Sequence, residues 1–190
     1  MRAMTNPYWQ RETKQHSPDL DRAKELCFVA MCVFESSPQV RALPKAYRRT
    51  SRLWKLHDRM AERRLVQTLL ELAVIVRTFD DQKRHGDATL YADFKKSICP
   101  DGVGRLGEQS LSLREACNKI IHADDLRPIY EDSEVENEET GRQDQYWYMT
   151  GEIELKGVRG NKPWDAYFDI RTFLEGCLDL LSFKSSTRTR

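Results

Sequence analysis

The stretch Leu65–Asp81, LVQTLLELAVIVRTFDD, decides the fold that we predict for this chain. It is the second half of a helix that the periodicity predicts from about Ser51 to Gln82. Apolar residues cover this half on almost every side, whereas a helix at the protein surface has an apolar stripe on one side only. We therefore expect this helix to be the central element of the core, with the other helices packed around it.

Four further segments show apolar residues at helical spacing, and they predict helices at about residues 18–35, 88–98, 112–124 and 169–183. The stretch SSPQ at 36–39 is expected to end the first of them. Ser112 and Glu115 form the capping-box pattern S-x-x-E, which marks the start of the third. Asp80 and Asp81 are expected to lie in the turn that ends the long helix.

Two segments rich in aromatic and β-branched residues predict a β-hairpin. They are QYWYMTGEIELKGV at 145–158 and KPWDAYFDI at 162–170, and they flank the turn sequence RGN. A short strand is expected at 127–131. The acidic stretch at 132–144 and the glycine-rich stretch at 99–109 are expected to be loops.

The predicted fold class is therefore mainly α. It is a four- to five-helix bundle with a small antiparallel β-hairpin insertion, at about 126–169, before the last helix. The length of 190 residues favours a single domain. We place this domain at 17–184, between an irregular N-terminal arm at 1–16 and a loose basic tail at 185–190.

The composition excludes several classes of protein. Charged residues make up 32% of the chain, and no apolar run reaches the ~18 residues of a membrane span, so we expect a soluble protein without a membrane partner. The N-terminal segment lacks the apolar core of a signal peptide, which favours the cytoplasm. The cysteines are scattered and form no C-x-x-C pair, so we expect reduced thiols, no metal site and no cofactor.

The charge distribution favours RNA as a partner. The net charge is only +1, but residues 41–64 contain nine Lys or Arg and two acids. Tyr47 and Trp54 lie among these cations, so the segment suits an RNA backbone and its bases. The alternative, a solvated helix face with Trp54 in the core, stays open. The predicted RNA-binding residues are Lys45, Arg48, Arg49, Arg52, Trp54, Lys55 and, outside this segment, Lys119.

Arg114, Asn118 and His122 follow one another at intervals of four residues in the helix predicted at 112–124. At 3.6 residues per turn they lie along one side of it, beside an apolar face. The trio suits cleavage of an RNA phosphodiester, because histidine transfers protons near neutral pH, arginine stabilises phosphate charge and asparagine orients either group. A solvated polar face is the alternative, and the spacing alone favours it.

The sequence ACNKIIHA at Ala116–Ala123 resembles the motif helix of HEPN-type proteins. These are α-helical domains of prokaryotic toxin–antitoxin, abortive-infection and CRISPR-linked systems and of some eukaryotic ribonucleases. LLELAVIVRTFDD at Leu69–Asp81 is similar to their other long helix. The resemblance implies a helical bundle formed by residues 18–125 and the last helix, with metal-independent endoribonuclease activity. It also implies a homodimer with facing motif helices, and an antitoxin or other defence-system protein as a partner.

The chain departs from the HEPN pattern at one position. In that family an arginine usually stands directly before the asparagine, where this chain has Cys117. Arg114 lies one turn earlier and is our candidate for binding the phosphate. Together with Asn118 and His122 it forms the predicted catalytic set. If Arg114 does not reach the phosphate, the alternative is a catalytically degenerate helical module that binds RNA or a protein partner.

The chemistry of cleavage also favours a dimer. An in-line displacement needs a base on one side of the phosphorus and an acid on the other. A single His122 cannot easily act on both sides, whereas a two-fold dimer supplies a second His122. We therefore expect the helices at 112–124 of two chains to face each other across a cleft.

Overall fold

The structure, a computed structural model, describes residues 18–84, 88–137 and 141–183. The arm predicted at 1–16 and the tail predicted at 185–190 lie outside these residues. In chain order the elements are α1 (Leu20–Arg41), α2 (Lys45–Thr50), α3 (Arg52–Arg84), α4 (Ala88–Lys96), β1 (Gly104–Leu106), β2 (Gln109–Leu111), α5 (Leu113–Ile121), β3 (Asp125–Asn137), β4 (Arg142–Arg159), β5 (Lys162–Asp169) and α6 (Ile170–Leu181).

The long helix predicted from Ser51 to Gln82 is confirmed as α3. Leu65, Leu69 and Leu72 are fully buried on the side that packs against α1, α5 and α6. The expectation that its second half is enclosed on every side is wrong, because Leu70 and Val74 are exposed. Since α3 forms one wall of the core, its outer stripe remains at the surface.

The first helix, α1, begins near its predicted start but ends later. The side chain of Asp19 caps it by accepting a hydrogen bond from the Arg22 N–H at 2.9 Å. The expected end at SSPQ is wrong, because Pro38 lies inside the helix. The added turn holds α1 to the sheet, since the Oγ atom of buried Ser37 accepts a hydrogen bond from the Met149 N–H at 3.0 Å. Tertiary contact therefore outweighs the cost of an internal proline.

The predicted fold class, a helical bundle with a small inserted hairpin, is wrong. The β4–β5 hairpin was predicted correctly, but it belongs to a five-stranded antiparallel sheet in the order β2-β1-β5-β4-β3. Alternate residues of β4 from Met149 to Gly157 are buried, and the sheet contacts α1 and α6. Residues of all these elements join one cluster of buried side chains. The protein is thus an α+β structure in which the strands form part of the core.

The short strand expected at 127–131 is confirmed as part of β3. Residues 132–137 and 142–144 of the acidic stretch expected to be a loop also form strands, while residues 138–140 lie outside the described residues. β3 pairs with β4 from Glu131, opposite Tyr148, to Asn137, opposite Arg142. The Tyr148 hydroxyl donates a hydrogen bond to the Glu131 carboxylate at 3.1 Å. The acidic part of β3 has the composition of a loop, but pairing with the aromatic residues of β4 stabilises it as a strand.

The glycine-rich stretch also contains strands, β1 and β2. Gly104 pairs with Phe168 on one side and with Leu111 on the other. The backbone of β5 approaches it so closely that a Cβ atom on Gly104 would lie 2.0 Å from the Tyr167 carbonyl oxygen. A strand can therefore form here because the residue has no side chain.

Within the described ranges, no helix is both long enough and apolar enough to cross a membrane.

The close approach at Gly104 gives a test of the sheet. Because a Cβ atom at this position meets the backbone of β5, we expect Gly104→Ala to lower the free energy of unfolding by about 2–3 kcal/mol. The matched control is Gly107→Asn. Gly107 has a φ of 57° with open space around its Cα, and asparagine tolerates this conformation. Urea unfolding measures both variants, and equal stability of the two would contradict the pairing of β1 with β5.

Candidate functional site

Helix α5, which carries the predicted catalytic residues, is held at both ends. Its capping box is confirmed on the serine side, since Ser112 Oγ accepts a hydrogen bond from the Glu115 N–H at 3.3 Å. The helix ends at His122, which forms its C-cap. It therefore ends earlier than expected, because the Asp124 N–H already bonds to the Lys156 carbonyl of β4 at 2.9 Å.

Arg114, the predicted phosphate-binding residue, lies against α3 and is largely buried. Its Nη2 atom is 2.8 Å from Asp81 Oδ1, and its Nη1 atom contacts Asp80 Oδ2. The guanidinium thus has two carboxylates as partners. A phosphate can bind it only by displacing or joining these carboxylates, so its first role in this structure is to join α5 to α3.

Asp80 is the most buried charged group of this region, at 1% exposure. It accepts hydrogen bonds from the Tyr91 hydroxyl at 2.8 Å, from Lys95 Nζ at 2.7 Å and from Arg114. Burial by itself raises the pKa of Asp80, but the hydrogen bonds from Lys95, Tyr91 and Arg114 outweigh it and hold the pKa below its ordinary value. Asp80 is therefore ionised and connects α3, α4 and α5.

The expected helix-end turn at Asp80 and Asp81 is wrong, because α3 continues to Arg84. Asp81 forms ion pairs with Arg77 and Arg114, and Arg84 Nε lies 3.5 Å from Asp80 Oδ2. We call the whole group the Asp80 cluster; it consists of Arg77, Asp80, Asp81, Arg84, Tyr91, Lys95 and Arg114.

The structure places an arginine beside Asn118 that the sequence analysis missed. Arg77 Nε donates a hydrogen bond to Asn118 Oδ1 at 2.7 Å. This arginine belongs to α3, whereas Asn118 belongs to α5. Cys117, which occupies the family's arginine position, is fully buried, and burial raises the pKa of its thiol to about 12. A side chain at position 117 therefore faces the core.

His122 is exposed, and its side chain makes no hydrogen bond or ion pair with any residue that the structure describes. Its carbonyl oxygen and the Trp164 ring both pack closely on Gly157, since a Cβ atom added there would lie 3.1 Å from the oxygen and 2.3 Å from the ring. Lys119 Nζ lies 4.0 Å from the centre of the Trp164 ring. The imidazole is thus free to bind a ligand, while the end of the helix that carries it is fixed.

The predicted RNA-binding residues lie on two separate surfaces. Lys45, Arg48 and Arg49 are on α2, and Arg52, Trp54 and Lys55 begin α3, whereas Lys119 is on α5. Asn118, next to Lys119, contacts α3 at Arg77. Because Arg52 and Arg77 are separated by 25 residues of one helix, about 37 Å at 1.5 Å per residue, the structure does not bring Lys119 together with the others.

Trp54 is partly buried at the junction of α1 and α3. Its Nε1 atom donates a hydrogen bond to the Val40 carbonyl at 3.2 Å, and the Arg41 guanidinium lies over its ring at 5.6 Å. The structure therefore agrees better with the alternative, in which Trp54 packs against the protein, than with base stacking. Arg48 is also engaged, because it donates to the Gln145 carbonyl at 3.4 Å.

A small pocket of about 70 Å³ lies between α3, α4 and α5, and Arg77, Asp80, Lys95 and Arg114 line it. In residues 18–84, 88–137 and 141–183, no group of three His, Cys, Asp or Glu side chains is arranged to hold a metal ion. Sequence analysis missed Arg77, Tyr91 and Lys95. The available signal was the row of charges on one side of α3 that follows the mostly apolar stretch at 65–76: Arg77, Asp80, Asp81 and Arg84.

Comparison of the chain with protein-family models, with curated proteins and with solved structures found no match. The resemblance to HEPN-type proteins therefore rests on the sequence of α5 and α3.

The contacts of the Asp80 cluster predict that replacing Asp80 lowers the free energy of unfolding much more than replacing its neighbour Asp81. Asp80→Asn removes a buried carboxylate, so that Lys95 loses its carboxylate partner and Arg114 keeps only Asp81. We therefore expect a loss of about 3–5 kcal/mol in the free energy of unfolding. Asp81 has a side chain that is about half exposed, so Asp81→Asn should cost about 1 kcal/mol or less. Chemical denaturation at neutral pH measures both.

The stabilisation that Asp80 gives to the fold should decrease as the pH falls. The pKa of Asp80 is lower in the folded than in the unfolded chain, so its stabilisation is present above about pH 4 and is lost as the pH falls towards the folded pKa. The stability difference between the wild type and Asp80→Asn should therefore narrow below about pH 4. A constant difference across this range would show that the Asp80 charge does not stabilise the fold.

Proposed function

We propose that this protein is a cytoplasmic, metal-independent endoribonuclease in which His122 transfers the protons. The observation that supports it best is the 2.7 Å hydrogen bond from Arg77 to Asn118. It supports an arginine–asparagine–histidine arrangement in which α3 supplies the arginine that α5 lacks at position 117. Arg114, our candidate from sequence, then becomes the residue that positions α5 against α3.

The proposed reaction uses His122 as the general base. The neutral imidazole removes the proton of the RNA 2′-hydroxyl, and the 2′-oxygen attacks the adjacent phosphorus. The bond to the 5′-oxygen breaks, and this oxygen receives a proton from the His122 imidazolium of a second chain. The products are a 2′,3′-cyclic phosphate and a 5′-hydroxyl.

The charge of the Asp80 cluster supports phosphate binding next to this site. The cluster has four cations, Arg77, Arg84, Lys95 and Arg114, and two carboxylates, so it keeps an excess of two positive charges. Such an excess attracts a polyanion. Because Asn118 uses its oxygen to accept from Arg77, its amide N–H groups are oriented away from Arg77 and can donate to a phosphate oxygen.

A second candidate function is a non-catalytic module that binds RNA or a protein partner, including an antitoxin or another defence-system protein. The observation that favours it is the pairing of both arginines with carboxylates, Arg77 with Asp81 and Arg114 with Asp80 and Asp81. Carboxylates that neutralise these guanidiniums weaken their attraction for a phosphate in the transition state. In that case His122 would contact a ligand without cleaving it.

His122→Ala tests the proposed activity. We expect the wild type to cleave mixed RNA in the presence of EDTA. The His122→Ala variant should cleave it at least about a hundred times more slowly, because the group that transfers the protons is removed. The matched control is Glu175→Ala, an exposed residue on α6, which should cleave like the wild type. Equal cleavage by the wild type and His122→Ala would reject the proposal, and a wild type that binds RNA without cleaving it would favour the module.

The oligomeric state tests the shared site. We expect light scattering at micromolar concentration to show a homodimer, because the second proton transfer needs a second His122. Mixing an excess of His122→Ala chains into wild-type protein should then reduce the activity of each remaining wild-type chain. A strictly monomeric protein that cleaves RNA at full rate would contradict the composite site.

A further inference from the structure

A groove between α1 and the first half of α3 presents apolar residues to solvent. Leu53, Leu56 and Met60 are 74%, 57% and 42% exposed, and their spacing of i, i+3 and i+7 places them along one side of α3. Val33 of α1 lines the opposite wall of the groove, which encloses about 410 Å³. Phe28 and Met31 of α1 are also exposed. A contiguous apolar surface of this kind is typical of a protein-binding site.

A row of cations runs beside this apolar stripe. Arg52, Lys55, Arg59 and Arg63 follow the spacing i, i+3, i+7 and i+11, so they share the adjacent side of α3. None of these four side chains forms an ion pair or a hydrogen bond with any residue in the described parts of the chain. The row is therefore available for an anionic partner.

The two acids of the same segment do not neutralise the row. Asp58 forms an ion pair with Arg41 of α1, and Glu62 accepts a hydrogen bond from the Tyr130 hydroxyl at 3.1 Å. Both carboxylates thus bind neighbours on other elements. The charge next to the groove remains strongly positive.

The groove also contains an unsatisfied polar group. Both ring nitrogens of His57 are buried and lack a hydrogen-bond partner among the residues that the structure describes. A buried polar atom without a partner costs free energy. Because His57 lines the groove, this cost falls on a residue of its wall.

An apolar stripe beside a row of cations fits a protein helix better than RNA. RNA phosphates would pair with the cations but would leave Leu53, Leu56 and Met60 uncovered. An amphipathic helix with acidic residues beside its apolar stripe covers both surfaces at once, because its side chains repeat with the same period as those of α3. We propose that the groove between α1 and α3 binds an acidic amphipathic helix of a partner protein.

This inference is independent of the activity proposed for His122, because no residue that lines the groove belongs to α5. It assigns Arg52 and Lys55, predicted from sequence to bind RNA, to a protein partner instead. The apolar residues of the partner helix cover Leu53 and Leu56, and its aspartates and glutamates pair with the row of cations.

A designed peptide tests the proposal. The probe is a fluorescein-labelled helix of about 20 residues with leucines along one side and glutamates beside them. In fluorescence anisotropy with the full chain we expect a micromolar Kd that weakens as salt is added. Two control peptides, one with scrambled positions and one with lysines in place of glutamates, should bind at least about tenfold more weakly. No binding of the probe, or equal binding of the scrambled peptide, overturns the proposal.

Two double variants separate the apolar and the charged contributions. Leu53→Ser with Leu56→Ser, and Arg52→Glu with Lys55→Glu, should each weaken peptide binding at least about tenfold. These side chains are exposed, so thermal unfolding should remain near that of the wild type. The matched control is Leu90→Ser, a similarly exposed leucine on α4, and it should bind like the wild type. If the variant with Leu53→Ser and Leu56→Ser binds the peptide as tightly as the wild type, the proposal is contradicted.

Two outcomes would identify a different occupant and overturn the proposal. In the first, a labelled single-stranded RNA of about 20 nucleotides binds, and only the charge-reversed variant loses it, while the peptide does not bind. In the second, light scattering shows a dimer that the Leu53→Ser, Leu56→Ser variant converts to monomers. The groove would then be an RNA surface in the first case and an interface between two copies of this chain in the second.

Discussion

The buried carboxylate of Asp80 is the constraint on which the arrangement of α3, α4 and α5 depends. A charge at 1% exposure is tolerated only with close partners, and Asp80 has them in Tyr91, Lys95 and Arg114. Each of these partners sits on α4 or α5, so the helices cannot separate without leaving the carboxylate unpaired. The position of α5 against α3 therefore follows from the need to satisfy this one group.

The opposite end of α5 is fixed by the sheet. Trp164 of β5 lies over Gly157 of β4 and beneath Lys119 of α5. With the Asp80 cluster at one end and the sheet at the other, α5 is a rigid support for His122. This explains how a side chain without a hydrogen-bond partner among the described residues can sit at a defined position. In the proposed function such a support holds the imidazole in place for proton transfer.

The sequence predicted the helices better than the strands, and the reason is physical. Helical periodicity is local, so the long helix α3 and the capped start of α5 were recognised. β1, β2 and the part of β3 that follows Glu131 were missed because their glycines and acids are typical of loops. A strand forms at Gly104 because the backbone of β5 approaches it closely, and a strand forms at Asp132 because it pairs with Trp147 of β4. Neither partner is near in sequence, so composition could not reveal the pairing.

At the candidate site, too, the sequence predicted positions within one helix but not the contacts between helices. Spacing correctly placed Arg114 and Asn118 beside the apolar face of α5, but it could not show that both contact α3, at Asp80 and Arg77. The role of Arg114 changes as a result, from binding phosphate to joining two helices. Arg77 takes its place beside Asn118, and the unpaired cations of α3 lie at the far end of the helix. The structure therefore separates a candidate cleavage site from a candidate docking surface.

The packing of α3 against α4 and α5 depends most directly on Asp80 being ionised inside the protein. Carbon-13 NMR of the side-chain carboxyl, assigned by its absence in Asp80→Asn, can follow its titration from neutral pH towards acid. We predict a midpoint below about 3.9, the ordinary value for aspartate, because Lys95, Tyr91 and Arg114 hydrogen-bond to the charged form. A midpoint at or above that value would contradict the claim that this carboxylate holds the three helices together.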